Sequence, residues 1–425
     1  MNYARFLNKV SLARRPSPTR VLTNILLQSP PTMISMATGM PNANFFPVLE
    51  GSFKLQDGTS IKLSGTDMRR AQQYSQSQGI PELLDWLKML QKNMHNPPLL
   101  DTPGDEQTKI IVTNGSQDGL SKLFDALITE QDHILMESPC YSGTMSMVKP
   151  LGPRILDVKT DGNGLIPGHL KEILSRWSPE DAKNPCSNIP KVLYTVPTGG
   201  NPTGCGLTFE RKKEIYNIAC KYNLLIIEDD PYYYIQYTKD YVPSFLSIDV
   251  EGRVVRFDSF SKLLSSGMRC GFVTGPAAIL DRIVLHLQTS VLHISGLTQF
   301  VILKIIELWG LEGFKAHVLK VAEFYRQQRD VTIDAAEKSL KGIAEWNDPT
   351  GGMFLWLKLI GVKDSYKLIM EKAQEKDVLF VPGNAFMSTD NPCPYVRAAF
   401  SQCSSEDIYV AFERLAALVR EHRGY

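Results

Sequence analysis

The sequence predicts an α/β fold, a mainly parallel sheet in a large domain followed by a smaller α+β domain. Three observations carry that expectation. Short apolar runs alternate with amphipathic helical stretches, as in successive βαβ units. Each run ends in a polar or glycine-rich loop, and ligands of such sheets gather at the carboxyl ends of the strands. From about residue 310 the alternation gives way to a long helical stretch and shorter, separated strands. At 425 residues the chain has room for two or three domains of roughly 150 residues each. The expected division is an N-terminal arm over 1–48 that contributes to the small domain, a large domain over 49–310 and the small domain over 311–425.

In the arm, Pro16, Pro18, Pro30, Pro31, Pro41 and Pro47 favour extended chain, with one short helix over about 20–27. Residues 33–37 read as a strand entering the turn Thr38-Gly39-Met40-Pro41, where Gly39 lets backbone approach a neighbour closely. Residues 74–81 form a polar loop in which Tyr74 looks like an ordinary exposed residue. Pro81 then starts a helix with Leu83, Leu84, Leu87 and Leu90 on one side. Residues 109–113 are a buried strand, and Asn114-Gly115-Ser116-Gln117 opens a helix carrying Leu120, Leu123, Phe124, Leu127 and Ile128. Free N–H groups at such a helix start bind anions, although a plain βα turn capped by Ser116 has the same local sequence.

The strand 133–137 delivers Ser138-Pro139-Cys140-Tyr141, and the strand 191–196 delivers a rigid glycine- and proline-rich loop, 197–204, that holds Asn201. A helix over 208–222 turns Ile215, Ile218, Ala219 and Tyr222 inward. The aliphatic run 224–227 then meets Glu228, Asp229 and Asp230. Three carboxylates after four aliphatics are awkward in a core, so one of them needs a buried cation or a protonated ring nitrogen. A long helix over about 314–340, an alternating strand over 351–357, strands over 378–383 and 395–400 and a last helix from Ser404 or Ser405 complete the chain.

A net charge of +1 gives no reason to expect a nucleic acid or an acidic membrane as partner. No run approaches about 18 apolar residues, the length of a spanning helix, and the most apolar window, 300–306, is broken by Lys304 and reads as a core helix. The seven cysteines (Cys140, Cys186, Cys205, Cys220, Cys270, Cys393 and Cys403) are odd in number and scattered, without a CxxC pair or a cysteine–histidine cluster. Reduced thiols and no metal are the expectation. Arg5, Lys9, Arg14, Arg15 and Arg20 all precede the first acidic residue, Glu50, with Phe6, Leu7, Val10 and Leu12 between them. This resembles a mitochondrial transit segment, which points to the mitochondrial matrix; a basic arm lying over the fold of a cytoplasmic protein is the alternative.

The stretch richest in chemistry is Ser259-Phe260-Ser261-Lys262, followed by Arg269. It ends an apolar run containing Val254, Val255 and Phe257. A lysine there is costly to desolvate, so its pKa shifts readily, and as a neutral amine it can form a Schiff base with a carbonyl. The flanking hydroxyls and the Arg269 cation suit a phosphate. Taken locally, a solvated lysine is the commoner outcome. Arg397, inside an apolar strand, needs an anion, and a substrate carboxylate or a structural salt bridge serves equally.

Taken together, Asn201-Pro202-Thr203-Gly204, Asp229 with Tyr232, Ser259-Phe260-Ser261-Lys262, Arg269 and Arg397 resemble the class I/II aminotransferases, pyridoxal-phosphate enzymes with the aspartate aminotransferase-like fold (fold type I). The match covers essentially the whole chain in the family's order. It looks most similar to the kynurenine/2-aminoadipate subgroup at Ala4-Arg5-Phe6, Pro16-Ser17-Pro18-Thr19-Arg20, Gly39-Met40-Pro41-Asn42, Gly79-Ile80-Pro81-Glu82-Leu83-Leu84 and Glu228-Asp229-Asp230-Pro231-Tyr232-Tyr233.

The resemblance implies that Lys262 carries pyridoxal phosphate as a Schiff base in a ping-pong cycle and shuttles the proton at the substrate Cα. It implies that Asp229 pairs with the ring nitrogen, Tyr232 and Asn201 with the phenolic oxygen, and that Tyr141 stacks on the ring. Ser116, Gln117, Ser259, Ser261 and Arg269 would take the phosphate, with Tyr74 reaching over from the second chain of a homodimer with shared active sites. Arg397 would grip the substrate α-carboxylate, while Arg20, Gly39, Met40 and Phe354 line the side-chain pocket. Amino acids and 2-oxo acids are the implied partners. A C–S β-lyase on the same scaffold is the alternative reaction. A non-catalytic ligand-sensing domain is disfavoured because no helix-turn-helix segment precedes the fold, and a dinucleotide-dependent dehydrogenase because no G-x-G-x-x-G follows a strand.

Overall fold

The computed structural model describes residues 1–30, 32–184 and 187–424; Pro31 and Cys186 lie outside them. The chain forms two compact units, Met1–Ile128 with Leu246–His317 and Thr129–Phe245 with Val318–Tyr425. These units cut across the boundaries expected at 48 and 310.

In the first unit, Gly271–Pro276 runs antiparallel between Thr108–Thr113 and Val254–Ser259. The strand Val254–Ser259 is buried along its whole length. It tolerates two charges because Arg256 and Asp258 share a face and pair with each other, Nη2–Oδ1 at 2.8 Å and Nε–Oδ2 at 3.0 Å, while Gln91 donates to the same carboxylate at 3.3 Å. Removing one partner of such a pair leaves a buried charge, a cost of about 3–5 kcal/mol.

The helix Ser116–Leu127 follows Gly115, whose φ of +80° favours glycine, and it buries Leu120, Leu123, Phe124 and Leu127. Pro81–Met94 starts with proline in its first turn and buries Leu83, Trp86, Leu87 and Leu90, Trp86 meeting Phe314 edge-on at 5.3 Å.

The basic N-terminal segment is built into this unit. Tyr3 and Phe6 are buried. The Asn8 side chain caps Lys9–Ala13 and donates to the Asp125 carbonyl at 2.6 Å, and the Asn8 N–H reaches the Ala126 carbonyl at 2.9 Å. The expected short helix is present as Pro18–Gln28. The expected strand over 33–37 is not formed: among the described residues nothing pairs with it, and Ile34 and Met36 stand 91% and 98% exposed.

In the second unit, Leu225–Asp229, Val192–Thr195, His133–Ser138 and Arg154–Asp161 lie in that order, all parallel, with Gly164–Leu165 antiparallel at the edge. The first two strands are buried at every position, which is why each opens on aliphatic residues, Leu225-Ile226-Ile227 and Val192-Leu193. An antiparallel sheet of Ala344–Trp346, Phe354–Leu359, Tyr395–Ala399 and Val381–Pro382 completes the unit. Its second strand does not alternate as expected, because Phe354, Leu355, Trp356 and Leu357 are all buried, so both faces are covered. The strand expected over 378–383 contracts to Val381–Pro382.

The long helical stretch begins earlier than expected and runs over Gly296–Leu340, broken at Gly310 (φ 60°, ψ −173°). The last helix, Ser405–Arg423, is capped by the Ser404 side chain and buries Ile408, Phe412, Leu415 and Val419. Among the described residues no helix is long and apolar enough to cross a membrane.

Candidate active site

Each unit holds part of the expected set at the carboxyl ends of its strands. In the first, the buried strand Val254–Ser259 runs directly into a 3-10 turn, Phe260–Lys262, that ends on the candidate lysine. Three successive N–H groups, of Leu263, Leu264 and Ser265, converge on the Phe260 carbonyl. The Ser259 hydroxyl accepts the Ser261 N–H at 3.1 Å, and His317 Nε2 contacts the Leu263 carbonyl at 2.7 Å.

Arg269, held at φ +49°, donates to the Ser261 hydroxyl at 3.2 Å and to the carbonyls of Ser266 and Asn114 at 3.1 and 3.4 Å. No carboxylate pairs with it among the described residues. A side chain at Gly115 would strike the Arg269 guanidinium, and one at Gly271 would lie 2.8 Å from the Ser116 nitrogen. Two glycines therefore keep the helix start Ser116–Gln117, the Ser261 hydroxyl and the Arg269 cation close together.

Arg20 and Tyr74 also meet in this unit. The Arg20 side chain is buried, lies over the Tyr74 ring at 5.7 Å and donates to the Ser75 carbonyl at 3.0 Å. It is thus fixed in the helix Pro18–Gln28, and burial lowers its pKa from the ordinary guanidinium value. Tyr74 itself is 45% exposed. Gly39 is exposed, and a side chain there would meet nothing within 4 Å, so the close backbone approach expected of it is not seen among the described residues. Met40 is half-buried, and its turn is tied down by the Gln73 amide donating to the Pro41 carbonyl at 2.8 Å.

In the second unit, Asp229 ends its strand fully buried and accepts the Tyr194 hydroxyl at 2.7 Å. Tyr194 in turn accepts the Thr144 hydroxyl at 2.9 Å, and burial, with Asp229 adding to it, holds the phenol far above its usual pKa, so it remains a donor. Tyr141 precedes the helix Ser142–Val148, and its ring lies over Gly143, where any side chain would overlap it.

Arg397 donates to Asn201 Oδ1 at 3.0 Å and sits against the faces of Phe354 and Phe386, at 4.6 and 5.2 Å. Tyr232 meets Phe354 edge-on at 5.8 Å. Burial lowers the Arg397 pKa, no carboxylate pairs with it among the described residues, and its Nε is buried without a hydrogen-bond partner. Asn201, Tyr232, Phe354 and Arg397 are therefore one cluster.

The profile of the family described as Aminotransferase class I and II matches residues 42–415. The chain belongs to the class I and II aminotransferases. It is 52% identical to the kynurenine/alpha-aminoadipate aminotransferase, mitochondrial, of Bos taurus over 423 residues, covering 99% of this chain and 100% of that relative. The aminotransferase Aro8 from Candida albicans superposes with a TM-score of 0.87 at 29% identity, over 100% of this chain and 99% of the other. The kynurenine aminotransferase of Pyrococcus horikoshii, solved in complex with PMP and with KYN and KYA, gives 0.76 at 26% identity over 99% and 98%. The reaction of this aminotransferase is transamination, and the comparisons lend no support to the C–S β-lyase alternative. Its cofactor is pyridoxal phosphate.

The aminotransferase's residues fit that cofactor. A dianionic phosphate is matched by a helix start, hydroxyls and an arginine with no carboxylate of its own, and Gly115 and Gly271 clear the space. A cationic ring nitrogen is matched by a buried carboxylate at a strand end. Sequence reasoning missed Tyr194, Thr144 and Phe386, since a strand tyrosine, a helix threonine and a phenylalanine ending the 3-10 turn Gly383–Phe386 have no local signature of a site.

Proposed function

We propose that this aminotransferase moves amino groups from a broad range of donors, 2-aminoadipate and kynurenine among them, to 2-oxoglutarate or another 2-oxo acid. The observation that carries the reading is Arg397, a shielded cation between two aromatic faces with no carboxylate among the described residues. The α-carboxylate common to amino acids and 2-oxo acids matches its planar fork. The protein is mitochondrial, as its 52% identical relative is named.

When bound, pyridoxal phosphate supplies an electron sink for the substrate Cα. Ser116, Gln117, Ser259, Ser261 and Arg269 would hold the phosphate, and Asp229 would keep the proton on the ring nitrogen. Tyr232 and Asn201 would hydrogen-bond the phenolic oxygen, and Tyr141 would pack on the ring. Lys262 Nζ takes the proton from Cα and returns it. Arg397 fixes the α-carboxylate, while Arg20, Gly39, Met40 and Phe354 meet the substrate side chain.

Arg20 sorts the donors. It is buried with no carboxylate beside it among the described residues, so a distal carboxylate on the substrate satisfies it. In a stopped assay with 2-oxoglutarate against a panel of amino acids, 2-aminoadipate and kynurenine are expected among the donors. Arg20→Ala is expected to lose about 10- to 100-fold in kcat/KM on 2-aminoadipate, the worth of one charge-assisted hydrogen bond, and to change far less on kynurenine. Equal losses on both would remove the selective role, and inactivity of the wild type on every amino acid tried would overturn the proposal.

The enzyme acts as a homodimer in which Tyr74 serves the second chain's cofactor. The first unit, which also holds Tyr74, leaves Ile34, Met36, Phe45 and Leu49 more than four-fifths exposed, apolar side chains of the kind that a second copy covers. Mixing refolded Lys262→Ala and Tyr74→Ala chains is expected to restore activity to about a quarter of wild type, since one of the two sites in each mixed dimer would be intact. Activity no higher than that of Tyr74→Ala alone would place Tyr74 in its own chain's site.

A further inference from the structure

Glu137 is a buried acid that no role above employs. It lies next to the end of the strand His133–Ser138 and spends its two carboxylate oxygens on the neighbouring strand: Oε1 accepts the Val196 N–H and Oε2 the Thr195 hydroxyl, each at 2.9 Å. The backbone ladder between these parallel strands pairs Ile134, Leu135 and Met136 with Val192, Leu193 and Tyr194. The carboxylate takes the backbone donor that follows the end of the strand Val192–Thr195, where the chain leaves the sheet.

Immediately beyond Val196 comes the loop that carries Asn201. It is closed on itself by the Gly200 N–H to the Cys205 carbonyl and the Leu207 N–H to the Pro197 carbonyl, both at 2.8 Å. Asn201 then accepts from Arg397 at 3.0 Å. We propose that Glu137 is a positioning residue, which clamps the end of Val192–Thr195 and through the Asn201 loop sets where the Arg397 guanidinium meets the substrate carboxylate. The inference rests on the reading of Arg397 as the carboxylate anchor.

The clamp does not need a charge. Burial raises the Glu137 pKa to about 8 against the opposing effect of its two hydrogen bonds, with Asp229 adding to the rise. Cys140 and Cys205 also sense it, and both thiols are pushed upward by burial. A protonated Glu137 keeps both bonds, its carbonyl oxygen accepting from Val196 and its hydroxyl donating to Thr195. A glutamine does the same with its amide oxygen and amide N–H.

The test compares Glu137→Ala, Glu137→Gln, Thr195→Val and Arg397→Ala in the cofactor-loaded enzyme. It reads KM and kcat, the absorbance of the bound cofactor, and the dissociation constant of glutarate, a dicarboxylate that cannot transaminate. Glu137→Ala is expected to raise the donor KM and the glutarate constant about tenfold while kcat falls by less than about threefold. Glu137→Gln is expected to stay within about twofold of wild type, and Thr195→Val to fall between them. A purely structural loss lowers the amount of active enzyme and leaves KM alone.

Unchanged KM and glutarate binding in Glu137→Ala, or a glutamine variant as impaired as the alanine, would overturn the inference. If Glu137→Ala does not fold, unchanged KM in Thr195→Val overturns it instead. Arg397→Ala separates the two levels: if it too leaves glutarate binding intact, the anchor reading has failed, and if it alone weakens binding, only the role of Glu137 has.

Discussion

Lys262→Ala is expected to leave no measurable transamination, a loss beyond the roughly 10²–10⁴-fold that a positioned proton-transfer group contributes, because in the proposed assignment the same amine also attaches the cofactor. The argument turns on where the lysine stands. It terminates a short turn whose backbone is held by three N–H groups on the Phe260 carbonyl, by the Ser259 hydroxyl and by His317. These contacts are made by groups other than the Lys262 side chain. The melting temperature is expected to move by no more than a few degrees, which would mark the loss as chemical. Borohydride reduction and peptide mapping check the attachment directly: a pyridoxyl tag at position 262 in the wild type and none in the variant. A variant that retained a hundredth of the wild-type rate would show that the proton is carried by another group.

The fold and the site were not equally legible. Strand–loop–helix order was readable because strands buried on both faces are continuous aliphatic runs, and their ends are marked by abrupt polarity, as at Asp229 and Ser259. Gly271–Pro276 was not readable, since glycine at both its first and fifth positions hides a strand whose neighbours require close backbone approach. The strand expected over 33–37 followed from its apolar residues alone, and its side chains are instead exposed.

At the site, residues that carry charge or a ring into an apolar context stood out: Lys262, Asp229 and Arg397. Their supports did not. Tyr194 and Glu137 act by hydrogen bonds that cross from one strand to the next, and such pairs depend on register, which a sequence read locally does not contain. The three acids after the run 224–227 illustrate the difference. Asp229 is assigned in the proposed function to a ring nitrogen outside the chain, whereas Glu228 is satisfied by the Phe245 N–H at 2.8 Å, a partner seventeen residues away.

Asp229→Ala should keep part of its cofactor and lose most of its rate, on the order of 10²–10³-fold in kcat, the scale on which one preorganised electrostatic contact to the reacting system is usually worth. Cofactor retention is expected because the residues proposed to hold the phosphate belong to other segments: the helix starting at Ser116 and the Arg269 guanidinium, which donates to the Ser261 hydroxyl and the Asn114 carbonyl, are placed without reference to Asp229. The rate loss follows from the proton on the ring nitrogen. Asp229 is kept as an acceptor by the Tyr194 hydroxyl, and Tyr194 stays protonated because its own burial makes a phenolate costly. Desolvated and fixed, such a carboxylate raises the affinity of a neighbouring nitrogen for its proton. Alanine in its place would let that proton go at neutral pH, and electron withdrawal from Cα would weaken with it. Asp229→Glu keeps the charge, so the expected order of kcat is wild type, then glutamate, then alanine. Tyr194→Phe, which removes only the supporting donor, is expected to cost much less than alanine at 229. An Asp229→Ala enzyme with wild-type kcat and wild-type absorbance would mean that the ring nitrogen works uncharged in this protein.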